Sequence, residues 1–400
     1  MVKSLPLAQR VTQLHPSPTM AIDSKAKALI AQGKDVVNFG AGEPDFDTPE
    51  NIRLAAVQAI NHGHTRYTAV GGIEALKGAI SERIFADTGL RYAPDEILVS
   101  VGAKHSLYNA VMALVGPGDG VLLPIPYWVT YPEQIALAEG VVQFVSIKPE
   151  HEGELRPEDL SQAMTNASRG LILNSPSNPS GAVIRPSVLK QIAQVAMDQD
   201  LWVISDEIYN RLVYDDTVHA SIASFDGMRE RTVLINGVSK SYAMTGWRIG
   251  YAAGPKHIIK AMSSLQSQST SNPTTIAQYA ALEALTGPQE AVDVMRREFD
   301  RRRRYIVGRV NQIAGLEAAT PQGAFYVWVN MASWKNRQVG GRSIYDADDL
   351  ALAWLELANV AVVPGSGFGM PDYFRMSYAT SLERIETGLD RMETLLESAE

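Results

Sequence analysis

The stretch GLILNSPSNPSGAVIRPSVLKQIAQVAMDQDLWVISDEIY, residues 170–209, decides the fold. Gly170–Ser175 and Leu201–Ser205 are short runs in which apolar residues follow one another without alternating. Continuous runs of that kind suit strands buried on both faces. The segment Arg185–Gln199 between them is helix-compatible. Strand, helix, strand is the βαβ unit of a parallel sheet.

Outward from this unit the pattern repeats. Ile97–Val101, Val121–Pro124, Val141–Ile147, Thr232–Asn236 and Ile249–Ala253 are further apolar runs, and His105–Leu114 is a second helix-compatible segment. The expectation is an α/β fold with a mostly parallel sheet and helices on both sides. The C-terminal third reads differently. Residues 276–313 predict one or two long helices, 324–330 and 359–363 strands, and 346–358 and 383–398 helices. This is an α+β unit distinct from the central sheet. The arginines at 301–304 are expected on a solvated helix face around Phe299, Tyr305 and Val307.

Composition narrows the function classes. The 400 residues are 46% hydrophobic and 20% charged, which excludes a disordered chain, and no run nears the roughly 18–20 apolar residues of a membrane span. A net charge of −8 makes a nucleic-acid partner a poor expectation. With no cysteine there is no disulfide, thiolate nucleophile or thiolate metal site. The opening MVKSLPLAQRV lacks the apolar core of a secretion signal, so the cytoplasm is the expected compartment.

Several short signatures fail. VGAKHS (101–106) lacks the glycines of a phosphate loop, GSGFGM (365–370) ends one residue short of G-x-G-x-x-G, and GVSKS (237–241) misses the nucleophile elbow. His62 and His64 lack a carboxylate at ligand spacing, so no metal is expected.

In open parallel sheets, ligands bind beyond the carboxyl ends of the strands. The residues just past each run form a consistent set. Gly102-Ala103-Lys104 opens a helix, whose N-terminus is a natural phosphate cradle. Tyr127-Trp128 offers an aromatic platform, and Pro176-Ser177-Asn178-Pro179 a rigid turn with one amide. Asp206 is followed by Tyr209 one helical turn on, and Ser239-Lys240 by Arg248. A phosphate cradle, a stacking aromatic, a buried carboxylate, a tyrosine and a lysine together suit pyridoxal phosphate.

At these residues the sequence resembles the fold-type-I pyridoxal-phosphate aminotransferases of class I and II, and most of all the bacterial aspartate and prephenate aminotransferases. The matching motifs are AGEPDFDTP (41–49), VGAKHSLYN (101–109), PYWVTYPE (126–133), NSPSNPSG (174–181), SDEIY (205–209), SKSYAMTGWRIGY (239–251), QSTSNPTTIAQ (268–278), PQGAFYVW (321–328), VAVVPGSGFG (360–369) and RMSYAT (375–380). They run through nearly the whole chain in family order. The resemblance implies a seven-stranded large domain (49–285) that binds the cofactor. It also implies a small α+β domain formed by both chain ends (1–48 and 286–400).

The resemblance also implies roles. Lys240 would be the Schiff-base lysine and proton shuttle, and Asp206 would face the pyridine nitrogen. Tyr209 and Asn178 would bond the phenolic oxygen, and Trp128 would stack on the ring. Gly102, Ala103, Lys104, Ser239 and Arg248 would hold the phosphate. Tyr67 would reach the site of the second subunit in a homodimer. Arg375 would clamp the substrate α-carboxylate, Gly42 would contact substrate through its backbone, and Lys104 would meet a distal carboxylate. The implied reaction is ping-pong transamination between L-aspartate and 2-oxoglutarate. The alternatives are prephenate, glutamate or aromatic substrates, then a β-lyase or a regulator built on the same domain. Two positions depart from the pattern. His15 stands where the subgroup has lysine before P-S-x-T, and Gly237 replaces a phosphate-binding serine.

Overall fold

The computed structural model describes residues 5, 7–15, 18–148, 151 and 153–398. A seven-stranded sheet is formed by β1 (Ile97–Val101), β2 (Gly120–Pro124), β3 (Val141–Val145), β4 (Ser168–Asn174), β5 (Trp202–Asp206), β6 (Thr232–Gly237) and β7 (Ile249–Ala253). The spatial order is β1-β7-β6-β5-β4-β2-β3. Only β7 is antiparallel to its neighbours, which leaves six carboxyl ends along one edge. Burial follows the expected pattern inside the sheet, where β6 and β7 are buried at every residue. The exception is β3. It lies at the sheet edge, and Val141 and Phe144 are about half exposed (53% and 47%). An edge strand has a neighbour on one side only, so an apolar run there cannot be covered as an inner strand is.

The helix Pro186–Asp198 buries Val188, Leu189, Ile192, Ala193 and Ala196, an i, i+3, i+4 stripe that packs on one sheet face. Ala103–Leu114 packs on the opposite face through Leu107, Ala110 and Val111. Its first turn meets β7 where a side chain on Gly250 would collide with the Ala103 amide nitrogen at 2.1 Å. That glycine lets the helix N-terminus reach the strand ends.

The C-terminal part carries a second, antiparallel sheet of 363–364, Tyr373–Ser377, Tyr326–Asn330 and 317–318. The expected strand at 359–363 is split in two. Val360 and Ala361 pair in parallel with Val37 and Asn38, whereas Val363 pairs with Arg375, so the chain changes partner at Val362. The Phe39 amide bonds Ala361 O and the Ser377 amide bonds Phe39 O. These bonds lead the N-terminal segment across to the strand ends of the large sheet.

The long helical region resolves into Thr275–Thr286 and Glu290–Val310. The solvated-face reading of 301–304 needs correction. Arg302 and Arg303 are buried, at 7% and 1% exposure. Arg302 pairs with Asp45 (2.7 Å) and Glu298 (2.9 Å); Arg303 pairs with Asp215 (2.7 Å) and Asp300 (2.6 Å). Asp45 and Asp215 come from distant segments, so helix periodicity could not show that these charges would be covered. No helix among the described residues is long and apolar enough to cross a membrane.

Candidate active site

A cavity of about 550 Å3 opens at the carboxyl ends of the parallel strands. Of the residues expected in the site, Ala103, Lys104, Trp128, Asn178, Asp206 and Tyr209 line it. Ser239, Lys240, Arg248, Arg375 and Gly42 line it as well. Gly102 sits just beneath the wall. Its φ is +83°, and a Cβ there would lie 2.5 Å from Arg248 Nη2, so glycine permits both the turn and the approach of the guanidinium. Tyr67 lies outside the cavity and is 91% exposed.

Asp206 ends β5 and is 4% exposed. Tyr131 donates to its Oδ2 at 2.9 Å and the Ile208 amide to its Oδ1 at 3.2 Å. Burial nevertheless pushes the carboxyl up to about 6. A cation facing it would favour the ionised form. Residues 207–211 form a turn rather than the expected helix, yet Tyr209 still faces the cavity. Its hydroxyl meets that of Tyr326 at 2.9 Å.

Lys240 follows β6, and its Nζ donates to Gly42 O. Burial depresses its ammonium to about 8, with Arg375 and Arg248 pushing the same way and Glu43 opposing. A lysine near this range exchanges protons readily at neutral pH.

Three features prepare the cavity for anions. The helix Ala103–Leu114 begins here, and its first intrahelical bonds to Gly102 O come from His105 and Ser106. The amides of Ala103 and Lys104 therefore precede the ladder, as at any helix N-terminus. Arg248 is fixed beside them by a 2.9 Å bond from Nη1 to Thr245 O. Lys104 Nζ stands 4.8 Å over the Trp128 ring, its ammonium destabilised by burial and then by Arg248.

Arg375 is 2% exposed and stacks on Tyr326 at 4.4 Å. Its Nη1 donates to Asn178 Oδ1 and its Nη2 to Gly40 O, both at 2.9 Å. Its Nε is buried without a partner. A buried guanidinium with an unspent donor on a cavity wall suits a carboxylate ligand.

Sequence reasoning missed several members. Tyr131, Tyr326 and Glu43 lie in the quoted motifs PYWVTYPE, PQGAFYVW and AGEPDFDTP, but nothing in their spacing assigned them a partner. Asn174 donates from Nδ2 to Asp206 O (2.9 Å) and accepts the Asn178 amide at Oδ1 (2.8 Å), tying two site residues together. Lys27, from the helix Pro18–Ala31, also lines the cavity, and no motif pointed to it. His15 pairs with Glu133, backbone N–H to Oε2 at 3.0 Å and ring Nδ1 to Oε1 at 3.3 Å, and is not in the cavity wall. Pro16 and Ser17 of the adjoining P-S-x-T segment lie outside the described residues. His64 stacks on Tyr279 at 4.2 Å, and among the described residues no cluster could hold a metal ion.

A lysine poised for proton exchange, a buried carboxylate and an anion-binding helix end meet at one strand edge, a set that suits an enzyme working on amino groups. The chain belongs to the class I and II aminotransferase family, whose model matches residues 34–392. It is 50% identical to an aspartate aminotransferase of Geobacillus stearothermophilus, over 98% of this chain and 99% of that one. It is 46% identical to an aspartate/prephenate aminotransferase of Cereibacter sphaeroides, over 97% and 98%. The solved aspartate aminotransferase of Rhizobium meliloti superposes with a TM-score of 0.96 at 41% identity, covering 99% of this chain and all of that one.

Proposed function

We propose that this protein is a pyridoxal-phosphate-dependent aminotransferase that moves the amino group between L-aspartate and 2-oxoglutarate. The observation that carries the reading is Arg375, buried with a free Nε on the same cavity as Lys240 and Asp206. Lys104, a further cation on that wall, supports a substrate with two carboxylates. The donor set fits the cofactor. An anion cradle lies at one end of the cavity, and in it lies Asp206, a buried carboxylate bonded to a phenol and an amide.

When bound, pyridoxal phosphate supplies the carbonyl that accepts the amino group and a ring that withdraws electrons. In this reading the Ala103 and Lys104 amides, Ser239 and Arg248 bind the phosphate, with Gly102 allowing their approach. Asp206 would keep a proton on the ring nitrogen, Trp128 would cover the ring face, and Tyr209 and Asn178 would bond the phenolic oxygen. Arg375 takes the α-carboxylate, Gly42 contacts the substrate through its backbone, and Lys104 takes the distal carboxylate. Lys240 Nζ, able to take up and release a proton near neutral pH, would lift the proton from the substrate α-carbon.

The reading extends to a homodimer in which Tyr67 serves the partner's site. Leu54, Val57 and Ile60, each about half exposed on the helix Glu50–Asn61 that precedes Tyr67 in the sequence, give an apolar face for a second copy to cover. The large and small domains at 49–285, 1–48 and 286–400, and a cytoplasmic location, belong to the same proposal. Prephenate is the second substrate considered, through the relatives of that name. His15 spends its N–H and ring on Glu133, which favours aspartate.

The test is a panel of amino donors and 2-oxo acids, prephenate included, with cofactor-loaded protein. Aspartate with 2-oxoglutarate should give the highest kcat/KM. A preference for phenylalanine or tyrosine would reject the dicarboxylate reading.

A further inference from the structure

Glu43 is the second carboxylate on the cavity wall, and the reaction as described leaves it without a role. It lies on the loop that follows Phe39, directly after Gly42, whose carbonyl accepts the Lys240 ammonium. Thr245 Oγ1 donates to Glu43 Oε2 at 2.7 Å. The Thr245 carbonyl in turn accepts Nη1 of Arg248. The carboxylate is thus tethered by a neutral hydroxyl, which leaves its charge uncompensated at that contact.

The surroundings make that charge consequential. The groups facing Lys240 come from every element around it. Lys104 stands at the helix N-terminus, Asp206 at the end of β5 with Tyr209 just after it, and Arg248 before β7. Tyr326 and Arg375 stand on the antiparallel strands, and Lys27 lies farther along the wall. Arg375 and Arg248 both oppose a proton on Lys240. Asp206 favours one but is committed elsewhere, bonded to Tyr131 and facing the ring nitrogen in the proposed reading. Glu43 is the only other carboxylate among the described residues of the wall.

We propose that Glu43 is a positioning residue for the catalytic lysine: its carboxylate is the counter-charge that holds the proton on Lys240 Nζ each time the lysine takes one up. The inference rests on the aminotransferase reading for its use, but its electrostatic core concerns two side chains of this chain alone. Glu43 adjoins Gly42, whose carbonyl holds the Lys240 ammonium, and because Glu43 is exposed, solvent screens part of its pull. Burial alone would leave Lys240 a poor proton carrier between two arginines. A carboxylate at the adjoining loop position restores the balance without blocking the cavity.

The test uses the full-length cofactor-free chain, so its readout does not depend on turnover. Trace acetylation with acetic anhydride, quantified by mass spectrometry of the Lys240 peptide across pH 6–10, reports the neutral amine fraction. The wild type should show a midpoint near 8. Glu43→Gln should move it down by about half a pH unit, so that labelling at pH 6.5 rises about threefold. Glu43→Asp should restore most of the wild-type midpoint, and Thr245→Val, which removes the tether alone, should give a smaller downward shift. Coincident midpoints for wild type and Glu43→Gln, with both proteins folded by circular dichroism, would overturn the proposal. An equal shift in Glu43→Asp would overturn it too, because a charge-preserving change would then behave like charge removal. Failure of the aminotransferase reading would show separately, as loaded wild-type protein inactive towards every amino donor.

Discussion

Tyr131 donates its hydroxyl proton to Asp206 across 2.9 Å, while its ring meets Trp128 edge-on with 5.5 Å between centroids. One short segment after β2 therefore supplies both the cavity's aromatic wall and the clamp on its buried carboxylate. A phenol that donates to a carboxylate stabilises the ionised form and opposes the burial that pushes Asp206 up to about 6.

Tyr131→Phe removes that opposition. Asp206 then gains proton affinity, so the acid limb of the kcat/KM profile should move to higher pH. A hydrogen bond to a charged group contributes about 1.5–3 kcal/mol, which corresponds to an upward move of about one to two pH units. A pH series with aspartate checks this, and an unmoved limb would show that the bond does not govern Asp206.

Lys104→Ser separates a substrate contact from a phosphate contact. If the ammonium over Trp128 meets the distal carboxylate, kcat/KM for aspartate and glutamate should fall about 10- to 100-fold more than for phenylalanine. A uniform fall with weaker cofactor retention would place Lys104 on the phosphate alone.

Arg375→Lys keeps the charge but loses the planar fork that bonds Asn178 and Gly40 and leaves Nε for a ligand. KM for aspartate should rise about 10- to 100-fold, with a smaller change in cofactor affinity. Kinetics beside a cofactor titration distinguish the two, and unchanged KM would remove Arg375 from substrate binding.

Lys240 also bears on stability. Its ammonium is held at about 8 in the folded chain against an ordinary 10.5, so between those values the unfolded chain binds more protons. The cost to the cofactor-free protein is complete below pH 8 and fades as pH climbs through 10.5. Lys240→Met should raise Tm at pH 7 by a few degrees, and the gain should close towards pH 10.5. Calorimetry at the two pH values checks both the gain and its sign.

Much of this site was legible in the sequence because it lies at strand ends. A buried strand announces itself as an apolar run, and the residue just beyond it falls at the sheet edge whatever the rest of the chain does. Asp206, Asn178, Ser239 and Lys240 were found that way. Residues that complete the site from other directions carry no such mark. Tyr326 sits inside an antiparallel strand and reads as core, and it is buried at 1% exposure. Lys27 sits on a helix and reads as surface. Arg302 and Arg303 read as solvated because their partners Asp45 and Asp215 are more than 80 positions away.

In the proposed reaction everything turns on Lys240, which carries the proton and the covalent chemistry of amino-group transfer. The direct measurement is oxaloacetate formation from L-aspartate and 2-oxoglutarate by cofactor-loaded Lys240→Ala beside the wild type. The wild type should be active and the variant should lose about 10⁴-fold or more in kcat, with the fold retained. Wild-type turnover in Lys240→Ala would contradict it.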